Sequence, residues 1–203
     1  MSESPASQTP RIAPGSRRDT GTLNMAISRI LGLATGGGPP HVFTTLGRQR
    51  RLFRGWLHFG GTLMPGGSLP RADSELVILR VARNCDCAYE RQQHEPLARS
   101  AGLTAADLER VREDAGAEGW TERQRLLLRA ADELHDRRDL CDELWDALAQ
   151  RLPDPGLIEL VMLIGHYEML AATLNTLRVQ PDVLPARQPR LSRLLQSLAG
   201  QRS

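Results

Sequence analysis

The sequence of 203 residues contains no lysine, and all 26 of its basic residues are arginine. A catalytic lysine that forms a Schiff base with a carbonyl substrate or with pyridoxal phosphate is therefore excluded. A P-loop, whose lysine contacts nucleotide phosphates, is excluded for the same reason. The missing lysine thus removes several large classes of enzyme.

Aromatic residues and cysteines are also scarce. Aromatic residues make up 4% of the chain, so the core has to consist mainly of Leu, Ala, Val and Ile. Three cysteines, two of them one residue apart, do not make the disulfide framework of a secreted protein. Residues 1–23 lack the apolar stretch of a signal peptide. We therefore expect a reduced, cytoplasmic protein.

The chain also lacks a long uninterrupted apolar run. Glu159, His166 and Glu168 interrupt its most apolar segment, so we expect no membrane span. The net charge of +2 lies in the tails, because residues 1–23 carry +1 and residues 181–203 carry +3, which leaves −2 between them. A mildly acidic body argues against a core that binds nucleic acid.

The patterning predicts an all-α fold, because no segment alternates with the period of two that marks a strand. Residues 1–22, rich in Pro, Ser, Gly and Arg, predict a disordered arm. A helical domain is expected over 23–180. Residues 181–203 form a basic tail, with a short helix expected at about 190–199.

Within the predicted domain, caps and stops delimit the helices. The motifs Thr104-x-x-Asp107 and Thr121-x-x-Gln124 predict two helix starts. Asp154-Pro155 predicts the start of a long apolar helix that runs to about residue 177. The remaining expectations are a helical region broken near Gly55, a buried helix over 75–83, a cap at Asn84 or Asp86, and a helix that runs to about 100 and stops at Gly102.

The densest chemistry lies between residues 75 and 94. Cys87, Glu90 and His94 are spaced i, i+3 and i+7, so they share one face of a helix. Cys87 lies near the predicted helix N-terminus, where the dipole favours a thiolate and a lowered thiol pKa. A turn at Asn84 would bring Glu75 back beside His94 as a carboxylate–imidazole relay.

Plainer interpretations exist for the same residues. Cys87 is also typical of a small buried hydrophobic residue, and Cys141 is expected to pack in an amphipathic helix. Glu159, His166 and Glu168 are expected to make polar contacts in a helical core or interface. Cys-x-Cys with one His gives three metal ligands, but no second pair at zinc spacing follows, so no metal or other cofactor is predicted.

The segment 74–111 resembles the carboxymuconolactone decarboxylase family, which includes the alkylhydroperoxidase D-like proteins. The motifs that carry the resemblance are Glu75-Leu-Val-Ile-Leu-Arg-Val-Ala, Cys87-Ala-Tyr-Glu90-x-x-x-His94 and Leu97-Ala-Arg-x-Ala-Gly102-Leu-Thr104. The similarity extends over roughly residues 45–182 and points to the longer, mostly uncharacterised members. It implies an alkylhydroperoxidase D-like helical bundle that forms a homo-oligomer, a trimer or hexamer, with its site near a subunit interface.

The peroxidase branch of that family carries a Glu followed by Cys-x-x-Cys-x-x-x-His. Cys87 matches the first Cys, His94 matches the His, and Glu75 lies twelve residues before Cys87. Glu90 stands where that branch has its second Cys, the thiol that attacks peroxide. The dithiol cycle therefore cannot run here as it does in that branch.

The first of three functional hypotheses is a thiol-dependent, alkylhydroperoxidase-like oxidoreductase acting on a hydroperoxide. Cys87 would be the attacking thiolate, with Glu75 and His94 as the proton relay. Cys85 or an external thiol would resolve the sulfenic acid. The two retained cysteines narrowly favour this hypothesis.

The second hypothesis is a decarboxylase-like lyase that needs no cofactor and acts on a small carboxylated lactone. His94 would move a proton at carbon, and Arg80, Arg83 or Arg91 would hold the carboxylate, with Tyr89 as a further substrate contact. The Glu in place of the attacking Cys favours this hypothesis. The third is a non-catalytic interaction protein.

Overall fold

The computed structural model describes residues 9–35, 38–113 and 115–183. These residues form ten α-helices and no strand, which confirms the predicted all-α fold. The short helix expected at 190–199 lies outside the described residues, as do residues 1–8 of the expected arm.

One compact unit comprises the described residues up to 64 together with residues 173–183. Up to residue 64 it contains the helices α1 (Arg17–Thr20), α2 (Thr22–Thr35), α3 (His41–Leu46) and α4 (Arg50–Leu63). The expectation of a disordered arm does not hold for residues 9–22. Ser16 and Asp19 form a capping box that begins α1. The Arg11 N–H also donates to the Leu177 carbonyl oxygen at 3.0 Å.

The helical region after residue 40 is interrupted at residues 47–49, so the predicted break near Gly55 is wrong. Gly55 lies inside α4, and a Cβ there would meet open space. A Cβ at Gly47 would lie 2.6 Å from the Phe43 carbonyl oxygen. Close backbone approach therefore requires the glycine at the break, whereas Gly55 is tolerated on a helix surface.

The second compact unit comprises residues 65–172. It contains α5 (Arg71–Asn84), α6 (Ala88–Ser100), α7 (Ala105–Arg110), α8 (Glu122–Arg137), α9 (Asp142–Ala149) and most of α10 (Asp154–Leu177). The predicted capping boxes begin α7 and α8, and Gly102 follows α6 at φ 103°. Helix α5 is buried from Ser74 to Ala82 and packs most extensively against α6 and α8, so it forms the centre of this unit.

Helix α10 is long and apolar enough to cross a membrane by length and composition alone. Half of its most apolar window is buried inside the protein. The carboxylate of Glu159 accepts hydrogen bonds from the backbone N–H groups of Ser68 (2.7 Å) and Leu69 (3.0 Å). The polar residues of α10 thus make contacts within the protein, as the sequence predicted.

Candidate active site

A tight turn between α5 and α6 positions the candidate site. Asp86 has φ 47°, in the left-handed region that Asp tolerates better than most residues. The Cys87 N–H then donates to the Ala82 carbonyl oxygen at 2.8 Å. Cys87, not the predicted Asn84 or Asp86, is the N-cap of α6. The turn lays α6 against α5, so that Glu75 and His94 face each other.

Glu75 and His94 form the predicted carboxylate–imidazole pair. Glu75 is fully buried, and its Oε2 lies 2.8 Å from Nδ1 of His94. Because an ionised carboxylate only accepts hydrogen bonds, Nδ1 carries the proton and Nε2 is the basic nitrogen. A guanidinium nitrogen of Arg71 lies 2.7 Å from Oε1 of Glu75, as an ion pair outside ideal hydrogen-bond angles. This ion pair compensates the buried charge of Glu75.

Tyr167 of α10 packs against this pair. Its ring meets the His94 ring edge-on, with centroids 5.1 Å apart and an interplanar angle of 87°. Burial raises the pKa of Tyr167 well above its usual value, and the charges of Glu75 and Glu90 raise it further. The tyrosine therefore stays neutral.

Glu90 is a buried carboxyl group with an unusual environment. Its exposure is 2%, and neither carboxylate oxygen has a hydrogen-bond partner. Burial raises the pKa of Glu90 to about 8; the Cys87 thiol opposes the rise, and the charge of Glu168 adds to it. The Cys87 thiol thus lowers the pKa of Glu90, although it makes no hydrogen bond of normal geometry with either carboxylate oxygen. Glu90 is consequently protonated at neutral pH and can act as a proton donor.

Cys87 lies at the helix N-terminus, as expected, but its predicted low pKa is wrong. The side chain is 1% exposed, and burial together with the charge of Glu90 raises the thiol pKa to about 12. The backbone N–H groups of Glu90 and Tyr89 lower it only in part. Desolvation thus outweighs the helix N-terminus, which the sequence alone could not reveal.

Cys85 belongs to a different cluster from the Glu75–His94 pair. Its thiol donates to Oε1 of Glu168 at 3.6 Å and lies 3.9 Å from Nδ1 of His135. Burial, followed by the charge of Glu168, raises its thiol pKa to about 12. The structure therefore gives Cys85 partners on α8 and α10, and its predicted resolving role beside Cys87 stays a prediction.

The arginines predicted to hold a substrate carboxylate have other partners. Arg80 is buried and donates to both carboxylate oxygens of Asp132, at 2.6 and 2.7 Å, and to the carbonyl oxygens of Val111 and Glu113. This network connects α5 to α8. Because its partners already occupy the buried guanidinium of Arg80, it contradicts a substrate-binding role for this residue.

Arg83 also has a partner other than the expected substrate. Arg83 is exposed and donates to the Arg112 carbonyl oxygen at 3.2 Å. With Arg91 it lines a small surface pocket whose lining includes none of Glu75, Cys87 and His94. The side chain of Tyr89 is 4% exposed. The substrate contacts expected for Arg91 and Tyr89 stay predictions.

Three participants were missed at the level of sequence. Arg71 precedes Glu75 by four residues, a spacing that signals an ion pair on one helix turn. Tyr167 and His135 carried no local signal, because their contacts come from helices far apart in the chain. Cys141 is the N-cap residue of α9, and its N–H donates to Oε2 of Glu133 at 2.9 Å. This structural role is close to the packing expected for it.

Comparison with known proteins agrees with these features. Residues 50–133 match the carboxymuconolactone decarboxylase family. No curated protein matches the chain in sequence.

The fold is shared with several solved structures. An uncharacterised peroxidase-related protein from Ralstonia eutropha JMP134, described as an alkylhydroperoxidase AhpD core, has a TM-score of 0.73 at 17% identity over 84% of this chain and 93% of that chain. A peroxidase-related protein from Silicibacter sp. TM1040 has a TM-score of 0.72 at 16% identity over 89% of this chain and 94% of that chain.

The debrominase Bmp8, solved in complex with 2,3,4-tribromopyrrole, has a TM-score of 0.71 at 15% identity over 96% of this chain and 99% of that chain. Identities this low establish a common fold and nothing about the reaction. Residues 50–133 are thus similar to the carboxymuconolactone decarboxylase family, and the chain has the alkylhydroperoxidase D-like helical fold.

Proposed function

We propose that this protein is an acid–base enzyme that moves a proton at a carbon atom of a small carboxylated lactone, with its own side chains as the catalytic groups. The observation that carries the proposal is the 2.8 Å contact between Nδ1 of His94 and Oε2 of the fully buried Glu75. This contact fixes the imidazole and makes Nε2 the general base. The substrate class follows from the family resemblance.

Glu90 supplies the second half of the proposal. It lies one helical turn before His94, so the two side chains share a face of α6. Its pKa of about 8 keeps the carboxyl protonated at neutral pH, beside a basic imidazole. Tyr167 interacts electrostatically with both Glu75 and Glu90, so the general acid that we propose lies near the Glu75–His94 pair. Proton transfer at carbon requires such a general acid together with a general base. The base takes the proton from carbon, and the acid returns one to the substrate.

The test is turnover of a panel of small carboxylated lactones. We expect His94→Gln to lower kcat by about 10²–10⁴-fold, the usual contribution of a general base. Glu75→Gln should lower kcat while KM changes little, because Glu75 acts through His94 and not on the substrate. His41→Gln is the matched control, since His41 also bonds through Nδ1, at 2.9 Å to the Gln180 carbonyl oxygen. Full turnover in His94→Gln would refute the proposal.

A second candidate is a thiol-dependent peroxidase centred on Cys87. It is favoured by the backbone N–H groups of Tyr89 and Glu90, which stabilise a thiolate at Cys87. In that reaction Sγ attacks a peroxide oxygen, the O–O bond breaks, and the products are an alcohol and a sulfenic acid. A dithiol reductant then reduces the sulfenic acid to the thiol with release of water. The burial of Cys87 and its pKa of about 12 count against this candidate.

Hydroperoxide consumption with dithiothreitol distinguishes the two candidates. If acid–base chemistry is the function, the wild-type protein consumes hydroperoxide no faster than Cys87→Ser. If consumption is fast, is lost in Cys87→Ser and is kept in Cys141→Ser, the peroxidase replaces the acid–base enzyme as the better account.

A further inference from the structure

A second constellation of reactive side chains lies apart from the Glu75–His94 pair. Cys85 from the turn after α5, His135 from the last turn of α8 and Glu168 from α10 meet at the protein surface. Their donor atoms all lie within 4.8 Å of one another. His135 Nδ1 is 2.6 Å from Oε1 of Glu168, and Cys85 Sγ is 3.6 Å from the same oxygen.

The geometry of this cluster differs from that of a catalytic relay. In a Cys–His–Glu relay the thiol and the carboxylate bind opposite nitrogens of the imidazole. Here both the Cys85 sulfur, at 3.9 Å, and the Glu168 oxygen face the same nitrogen, Nδ1 of His135. The three donor atoms therefore converge on one point instead of forming a chain.

We infer that Cys85, His135 and Glu168 form a three-ligand site for a divalent transition-metal ion, with Zn²⁺ as the best match. A thiolate, an imidazole and a carboxylate are the three ligand types that zinc takes in proteins. Zinc bond lengths place tetrahedral ligand atoms about 3.3–3.6 Å apart. The two sulfur distances lie close to this range, and only the His135–Glu168 contact has to widen, by less than about 1 Å.

Two neighbouring groups support a cation at this point. The buried carboxyl group of Glu90 lies close enough to interact electrostatically with both Cys85 and Glu168. A positive ion would compensate the negative charges that Cys85 and Glu168 carry as ligands next to this group. Arg138 donates to Oε2 of Glu168 at 2.9 Å and so leaves Oε1 directed at the other two ligands. Such outer contacts are typical of metal-binding carboxylates.

The proposed site is accessible and leaves room for a further ligand. The side chains of His135 and Glu168 are 30% and 15% exposed, so an ion can enter from solvent. Three protein ligands leave the fourth tetrahedral position to water or to a small molecule. The sequence predicted no zinc site, because the ligands are separated from Cys85 by 50 and 83 residues and follow no ligand spacing.

The test uses Co²⁺ and Zn²⁺ on the full-length protein after dialysis against a chelator. We expect one equivalent of Co²⁺ to bind, with the near-ultraviolet charge-transfer band of a cobalt–thiolate bond, and one equivalent of Zn²⁺ to displace it. Zn²⁺ should also raise the Tm. Cys85→Ala should abolish the charge-transfer band, and His135→Gln should weaken Zn²⁺ binding by at least about 100-fold. Mg²⁺, which prefers oxygen ligands, should not compete.

Cys141→Ser is the matched control. The Cys141 thiol donates to Oε1 of Glu133 at 3.6 Å, the same distance as in the proposed site, and Cys141 belongs to no metal-type cluster in the described part of the chain. This variant should bind Co²⁺ like the wild type. Glu168→Gln, a substitution outside the α5–α6 turn, provides a second loss variant should Cys85→Ala not fold.

Two outcomes overturn the inference. One is the absence of stoichiometric Co²⁺ and Zn²⁺ binding in the wild type. The other is binding that survives unchanged in Cys85→Ala or, should that variant not fold, in Glu168→Gln. Neither outcome bears on the acid–base proposal, because the metal ligands do not include Glu75 or His94.

Discussion

At the scale of single residues, the site is defined by how burial shifts the acidities of its side chains. Glu90 and Cys87 are both almost fully buried, and burial raises the pKa of each, so that both stay protonated at neutral pH. Glu75 is equally buried, yet it has Arg71 and His94 as partners. One paired carboxylate and one unpaired carboxyl group therefore lie in the same site. This difference assigns the acid and the base roles that we propose.

The raised pKa of Glu90 predicts a pH-dependent stability. The folded protein keeps the Glu90 proton up to about pH 8, whereas the unfolded chain loses it near pH 4.5. The stability that this proton contributes is therefore lost as the pH rises from about 4.5 to 8. Glu90→Gln should gain stability relative to wild type across this window, by on the order of a few kcal/mol.

Urea unfolding of both proteins at several pH values measures this difference. The informative quantity is how the difference in the free energy of unfolding changes with pH. The cost of burying the variant's amide adds the same amount to this difference at every pH. A constant difference between wild type and Glu90→Gln from pH 4.5 to 8 would show that Glu90 ionises normally.

The residue scale also shows what the sequence could and could not predict. The pairing of Glu75 with His94 followed from helical spacing and a turn, which are local properties of the chain. The pKa of Cys87 did not, because desolvation depends on how the core packs around the thiol. The cluster around Cys85 was likewise hidden, since its three ligands come from separate helices.

At the scale of elements, the α5–α6 turn controls the relative placement of the reactive groups. Most helix bounds were predictable because caps and glycines lie next to them in the chain, as at Thr104 and Thr121. The turn itself was misassigned by a few residues, because Asp86 enters the left-handed region and Cys87 becomes the cap. The backbone conformation at one residue thus determines where α6 begins.

We therefore expect Asp86→Val to destabilise the protein by roughly 1–2 kcal/mol, because a β-branched residue disfavours a left-handed backbone. Asp86→Asn should cost little, since Asn tolerates that conformation. Asp86 is exposed, so neither change alters the core. Thermal or urea unfolding of the two variants measures the difference in stability. Equal stabilities would contradict the expected effect of the left-handed backbone at Asp86.

At the scale of the whole molecule, α10 presents an apolar stripe to solvent. Ile158, Met162 and Met169 are 64%, 46% and 52% exposed, and their spacing places them within about 40° of one another around the helix. Exposed apolar patches of this kind mark interaction surfaces. Together with the family resemblance, the stripe supports a homo-oligomer formed through α10.

Light scattering coupled to size exclusion tests this assembly. The wild type should elute as a multiple of 22.5 kDa at micromolar concentration, a trimer or hexamer by resemblance. Met162→Glu should shift it toward the monomer, because a buried charge in an interface is costly. Gln150→Glu adds the same charge at the exposed C-cap of α9 and should leave the assembly intact. A monomeric wild type would contradict the expectation.

The central claim is that the site transfers protons through His94 and Glu90 rather than electrons through Cys87. The most direct measurement is the pH dependence of kcat/KM for a carboxylated lactone in the Cys87→Ser protein. We predict that turnover persists in this variant and falls as the pH rises through about 8, where Glu90 loses its proton. Loss of turnover in Cys87→Ser, or a profile that stays flat through pH 8, would contradict the account.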